Sequence, residues 1–145
     1  MKELLYLKDD QIKDFIQLLY YAYRETFSDP KNILAKKFFG LAHLRALNLI
    51  ERNPGISLTE LIFKLKITKQ SINRVLRDLI NAKMIKQVKD DEDTRKKNLY
   101  LDKEGSLFFE KIYAVQKKRI FNALKSSEPD SVVKFKKVLG KIING

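Results

Sequence analysis

The chain predicts a mainly helical, α+β architecture with one small β-hairpin, on three observations. Residues 56–81 hold two short amphipathic segments split by a tight turn, residues 84–101 hold two strand-like runs around a charged loop, and apolar stripes run through both ends of the chain.

In chain order, residues 9–27 form a first helix with Ile12, Phe15, Ile16, Leu19, Tyr23 and Phe27 on one side. A second covers 42–52 and is ended by Asn53-Pro54-Gly55. Ser57 followed by Glu60 is a capping box: the hydroxyl and the carboxylate can each satisfy a free backbone N–H of the first turn. Ile56 and Leu61 are spaced to close over that cap, and Leu58, Leu61, Ile62 and Leu65 make one apolar face of a short helix. Leu65-Lys66-Ile67 leaves no room for another element, and Thr68 supplies a new N-cap with Ile67 and Ile72 as a second staple. The next helix therefore leaves at an angle to the first.

That helix carries Ile72, Val75, Leu76, Leu79 and Ile80 as a buried stripe, which fixes its other face. The outward face presents Gln70, Arg74 and Arg77, flanked by Ser71, Asn73, Asp78 and Asn81. Met84 to Lys89 and Lys97 to Leu101 then read as strands, the second with Leu99 and Leu101 inward and Asn98 and Tyr100 outward. Asp90 to Lys96 is the polar tip between them. Asp102 opens a long helix to about Lys125, and Ser127-x-Pro129-Asp130 opens a last one through Val132, Val133, Phe135, Val138, Leu139, Ile142 and Ile143.

Two capped helices followed by a hairpin make a winged helix-turn-helix, here with helices at both chain ends. In such a motif arginine can fork onto guanine and Gln or Asn onto adenine in the major groove of DNA, while Lys69 and the Thr68 cap face phosphates at the positive helix end. Two arginines on a wet helix face would alone mean only solvation; their place on the second helix of a capped pair favours base reading. In the hairpin tip, Arg95, with Lys96 beside it, is placed to enter the minor groove. The four acidic residues of the tip oppose phosphate binding, and their plainer role is turn formation plus an ion pair by which Asp93 aims Arg95. They lack the Asp-x-Asp-x-Asp-Gly spacing of a hard-cation loop, and no metal is expected.

Asp90-x-x-Asp93-x-Arg95, six residues before Leu101 and nine before Glu104-Gly105, resembles the wing of MarR-type regulators, and the resemblance covers nearly the whole chain. Thr68 to Leu76 is similar to the recognition helix of a PetP-like subgroup. The resemblance implies a major-groove recognition helix, a minor-groove wing arginine and a homodimer built by the terminal helices. It carries DNA contacts over to Gln70, Ser71, Asn73, Arg74, Arg77 and Arg95. Three positions depart from the pattern: Lys83 stands where a glycine usually ends the recognition helix, Lys66 sits in a turn that often holds glycine, and Asp102 replaces a common threonine cap. The expected organisation is one domain over 1–145, with a DNA-binding lobe at 42–101 and a helical dimerisation lobe at 1–41 and 102–145.

Composition agrees. The 145 residues suit one ordinary domain, 44% are hydrophobic, and the formal net charge is +12. Such a balance favours an anionic partner. It does not locate the contact, because residues 56–101 carry 11 basic and 6 acidic groups and residues 102–145 carry 10 and 5. The excess of Lys over Arg is also what an AT-rich genome would produce without selection for function. Without cysteine there is no disulfide framework, thiolate metal site or thiol sensor. One histidine and no paired nucleophile and base leave catalysis without candidates, so neither an enzyme nor a cofactor is expected. The amino terminus turns acidic before a signal-peptide core could form, and no apolar run approaches about 18 residues; a cytoplasmic protein is expected.

Tyr20, Tyr21, Phe38 and Phe39, with His43, are candidates for the small-molecule effector cleft that many family members have; the plainer expectation is core for the aromatics and a solvated His43. The function expected is a homodimeric, sequence-specific double-stranded DNA-binding regulator, most simply a repressor on a pseudo-palindromic operator. A winged-helix module for protein interaction, and a basic amphipathic protein on anionic membranes, are the alternatives.

Overall fold

A computed structural model describes residues 4–145, so the first three residues of the expected 1–41 lobe lie outside it. After a 3-10 turn at Leu5–Leu7 the elements run α1 (Asp9–Ser28), α2 (Lys31–Ala35), α3 (Leu41–Arg52), β1 (Ile56–Ser57), α4 (Leu58–Leu65), α5 (Lys69–Asn81), β2 (Ile85–Lys89), β3 (Lys97–Leu101), α6 (Lys103–Lys125) and α7 (Pro129–Asn144). The β2–β3 hairpin agrees with the sequence expectation, with Ile85 opposite Leu101 and Lys89 opposite Lys97. β1 adds a third, antiparallel strand, in the order β1-β3-β2. Ile56, expected only to staple the next helix, pairs with Leu99, and Ser57 pairs with Asn98. Two residues have no period to read; only their partner makes them a strand. Among the described residues no helix is long and apolar enough to cross a membrane.

The chain divides into two compact units, residues 27–113 and residues 1–26 with 114–145. The 27–113 unit extends past 42–101 on both sides, because Leu34, Phe39, Phe108 and Ile112 are buried in one core with Leu44, Leu47, Ile50, Leu61 and Leu99. From α5, Ile72, Val75, Leu76 and Leu79 enter that core. Ile80, expected to complete the stripe, is instead exposed. At the helical period it lies farthest from the stripe's centre, so it falls on the rim.

Both expected N-cap hydroxyls are engaged, but the return bond from the Glu60 carboxylate that would complete the capping box does not form. The Ser57 hydroxyl accepts the Glu60 N–H at 3.2 Å, and the Thr68 hydroxyl accepts the Ser71 N–H at 3.2 Å. Between the helices the turn is made by Lys66 in the left-handed conformation, φ +53°, whose N–H returns to the Ile62 carbonyl at 2.9 Å. α5 ends the same way: the Lys83 N–H bonds the Ile80 carbonyl at 2.9 Å and the Met84 N–H bonds the Leu79 carbonyl at 2.8 Å, a Schellman closure with Lys83 at φ +60°. The two departures from glycine are thus left-handed lysines, and each strains its Cβ. Lys83 is exposed and outside the core, so Lys83→Gly loses little packing. It should raise stability by about 0.5–1 kcal/mol, the relief of strain less the greater freedom of an unfolded glycine. A thermal melt with an unchanged or lowered midpoint would contradict this.

In the other unit, α1 and α7 bury no residue at all. Ile12, Phe15, Ile16 and Leu19 of α1, Ile120, Phe121 and Leu124 of α6, and Val133, Phe135, Val138, Ile142 and Ile143 of α7 all remain exposed. The Gln116 side chain donates to the Thr26 carbonyl at 3.1 Å. Those of α1 and α7 belong to the stripes that the sequence shows, those of α6 add to them, and the folded chain leaves them uncovered. That much exposed apolar surface is more than an isolated chain ordinarily carries.

Candidate nucleic-acid interface

α5 is a surface helix because only one of its faces can be buried. With Ile72, Val75, Leu76 and Leu79 in the core, the 3.6-residue period turns Lys69, Gln70, Ser71, Asn73, Arg74 and Arg77 to solvent, and every one of them is exposed. Gln70, Arg74 and Arg77 follow one another at spacings of four and three residues, so they form a row along the helix. Arg74 and Arg77 make no ion pair among the described residues, which leaves both guanidinium forks free. At the amino end the Thr68 hydroxyl is occupied as the cap and also donates to Ser71 Oγ at 2.9 Å, so it is Lys69 and the first-turn backbone that face outward.

The wing is more ordered than its composition suggests. Asp90 Oδ2 accepts the Asp93 N–H at 3.1 Å, Asp90 Oδ1 accepts from the Asn98 amide at 3.2 Å, and the Asp90 N–H bonds the Lys96 carbonyl at 3.0 Å. The hydrogen bond from Asn98, then that from the Asp93 backbone, and the nearby Lys96 charge hold the Asp90 carboxyl below the usual carboxylate range. A carboxylate lowered in this way supports the turn fully above its ordinary value, and the support is lost as acid takes the pH down through the lowered one. The turn-forming role expected of the acidic tip is thus taken by Asp90, through the three-residue step to Asp93 typical of a side chain that closes its own turn, whereas the Asn98 contact across the hairpin has no local signal.

Asp93 Oδ1 accepts from the Arg95 backbone N–H at 3.0 Å and from Arg95 Nε at 3.2 Å. One carboxylate oxygen therefore holds both ends of Arg95 while the side chain stays 91% exposed. Asp93, Arg95 and Lys96 share an open cavity of about 480 Å³ with Ser57, Thr59 and Glu60 at the start of α4. Among the described residues no group of acidic or histidine side chains is arranged to hold a metal ion.

The aromatic candidates fall in different units. Tyr20 and Tyr21 lie on α1, exposed, with the Arg24 guanidinium 4.7 Å from the Tyr21 ring centroid. Phe38 is 95% exposed in a left-handed turn at φ +61°, the reverse of a core residue. Its N–H and that of Phe39 bond back to Ala35 and Leu34, so backbone closure and not packing sets its place. Only Phe39 is core, edge-on to Phe108 at 5.9 Å. His43 is not solvated either: its Nδ1 accepts the Gly40 N–H at 3.0 Å, its Nε2 lies 2.8 Å from Asp78 Oδ2 on α5, and its ring stacks on Phe39 at 4.8 Å. Gly40 is the N-cap of its own helix, but Asp78 lies on another helix 35 residues on, where helix periodicity could not reveal it.

Residues 39–96, which hold the capped helix pair and most of the wing, match the model of the MarR family. The HTH-type transcriptional regulator PetP of Rhodobacter capsulatus is 37% identical over 136 residues, covering 94% of this chain and 82% of the relative. The chain belongs to the MarR family. Its members are transcriptional regulators, and the similarity to PetP agrees with what the recognition-helix sequence implies. Solved MarR-type structures share the fold. A mutant MepR from a multidrug-resistant S. aureus clinical isolate superposes with a TM-score of 0.77 at 18% identity, covering 90% of this chain and 95% of that one. NadR in complex with 4-hydroxyphenylacetate gives 0.75 at 19%, covering 98% and 97%. Within this MarR-family chain, Lys66 and Lys83 keep the left-handed turns without glycine, and Asp102 accepts the Lys103 N–H at 2.8 Å where α6 begins.

Proposed function

We propose that this MarR-family regulator binds duplex DNA as a homodimer, with α5 in the major groove and the wing in the adjacent minor groove, and represses from a pseudo-palindromic operator. The observation that carries this reading is the row Gln70, Arg74 and Arg77, exposed on a helix whose opposite face enters the core through Ile72, Val75, Leu76 and Leu79. Bidentate contacts from such a row discriminate bases, while Lys69, Ser71, Asn73 and Lys96 supply flanking phosphate and sugar contacts. The uncovered faces of α1, α6 and α7 support a second copy of the chain as their partner, since an obligate dimer buries just such apolar surface. The 4-hydroxyphenylacetate bound by NadR supports a small-molecule effector for this chain too. A cytoplasmic location follows from the same reading.

Selection of bound duplexes from a random pool tests it. The recovered sequences should be pseudo-palindromic with half-sites about one helical turn apart, and the protein should sediment as a dimer at micromolar concentration. A monomer on a single half-site would overturn the assembly, and recovery of no preferred sequence would overturn the operator.

The wing gives a sharper test. Arg95→Ala should weaken binding and reduce the salt dependence by about one phosphate-equivalent per subunit. Asp93→Ala removes a negative charge, so simple electrostatics calls for tighter binding, yet it also releases both ends of Arg95. The expected result is weaker binding, because an untethered arginine loses its preset approach to the groove. Tighter binding by Asp93→Ala at every salt concentration would make the acidic tip a brake on DNA affinity and would overturn this account of the wing.

A further inference from the structure

His43 is the one histidine of the chain, and it joins two elements that share no local sequence. It stands in the first turn of α3, and its side chain is only 14% exposed. The Gly40 N–H donates to Nδ1 at 3.0 Å, so that nitrogen carries no hydrogen; in the neutral ring the proton is on Nε2. Nε2–H then donates to Asp78 Oδ2 at 2.8 Å, the length of a charge-assisted bond. The ring cannot swing away readily, because it stacks on Phe39 at an interplanar angle of 21°, and Phe39 in turn abuts Phe108.

Asp78 occupies an awkward place for a carboxylate. It lies four residues after Arg74 and next to Arg77, on the helix that carries the DNA-facing row. At the i,i+4 spacing an Arg and an Asp are neighbours, and a free Asp78 would draw the Arg74 guanidinium down along the helix. In the structure Asp78 is engaged by His43 instead, and Arg74 makes no ion pair among the described residues.

We propose that His43 is a positioning residue for DNA recognition: through Asp78 it fixes the rotation of α5 against α3 and keeps the carboxylate away from Arg74. This rests on α5 being the helix that reads DNA. The hydroxyl-capped start of α5 sets where the helix begins, and its apolar stripe sets which face is buried. Neither fixes the last few degrees of rotation, to which a bidentate contact is sensitive. A hydrogen bond from a rigid ring, itself oriented by a backbone N–H, supplies that restraint.

Two substitutions divide the imidazole's roles. In His43→Asn the Oδ1 atom can still accept from Gly40, but nothing reaches Asp78; in His43→Gln the amide can still donate towards Asp78, but the Gly40 bond is lost. The readout is the ratio of affinity for a duplex selected by the wild-type protein from a random pool to affinity for a shuffled duplex of the same composition. A role confined to folding lowers both affinities together and leaves the ratio alone. His43→Asn should lower the ratio by about tenfold, the weight of one hydrogen bond to a charged group. His43→Gln should keep most of the ratio, and His43→Asn with Asp78→Ala should recover much of it, because the competing carboxylate is gone. An unchanged ratio in His43→Asn overturns the proposal, and a loss that Asp78→Ala does not relieve overturns its second limb, the shielding of Arg74 from the carboxylate. Nitrogen NMR of the wild-type imidazole tests it without any variant: a proton on Nδ1 in place of Nε2 would overturn it equally. Arg74→Ala in the same assay separates the two levels. If Arg74→Ala lowers the ratio and His43→Asn does not, only the role of His43 fails; if Arg74→Ala leaves the ratio unchanged, Arg74 reads no base, and the base-reading role of the α5 row fails and takes this inference with it.

Discussion

Replacing Arg74 or Arg77 by alanine is expected to weaken operator binding by about 1–3 kcal/mol each, roughly five- to 150-fold, with no loss of folded protein. Both side chains are exposed and contribute nothing to the core, so the thermal midpoint should stay close to that of the wild type. The loss should be greater on the selected duplex than on a shuffled one, because a bidentate arginine discriminates bases while a lysine on a phosphate does not. If both variants bind the selected duplex as the parent does, α5 is not the reading helix and the proposed docking fails. If the selected and shuffled duplexes lose equally, the arginines hold phosphate only, and specificity comes from elsewhere.

Gly105→Ala should cost about 2–3 kcal/mol of stability, even though alanine is the better helix former. A Cβ at this position would run into the Met84 carbonyl oxygen, which is main chain and cannot rotate aside. That carbonyl also accepts the Asp102 N–H at 2.8 Å, where the chain turns from β3 into α6. Relief would therefore mean lifting α6 off Met84, which is buried, and loosening Phe108 and Ile112 in the core. Met84 further closes α5 through its N–H bond to Leu79, so the displacement reaches the end of the recognition helix. A urea midpoint equal to or above that of the wild type would show that the contact relaxes without cost. Gly55 is the other constrained glycine: at φ +86° it lies against the Tyr100 ring, and its N–H bonds the Leu99 carbonyl at 2.8 Å.

What the sequence determined by itself is what depends on residues within a turn or two of one another. The Ser57 and Thr68 caps, the stripe from Ile72 to Leu79 with its polar reverse, the strand of residues 97–101 and the two-residue step from Asp93 to Arg95 all belong to that class. Their geometry follows from the helical or strand period and from side chains that reach their own backbone. The candidate DNA face was legible for that reason: burying one side of α5 dictates the other. The tertiary structure decided whatever needed a distant partner or a packing choice. β1 exists because Ile56 and Ser57 meet Leu99 and Asn98. His43 meets Asp78 across 35 residues, and Asn98 completes the Asp90 turn from the opposite strand. Phe38 faces water while its neighbour Phe39 is core, and Ile80 falls on the rim of its own stripe. No local pattern encodes those outcomes, because each is settled by which surfaces the assembled core can reach, and hydrophobic periodicity states only that a face will be buried, not by what.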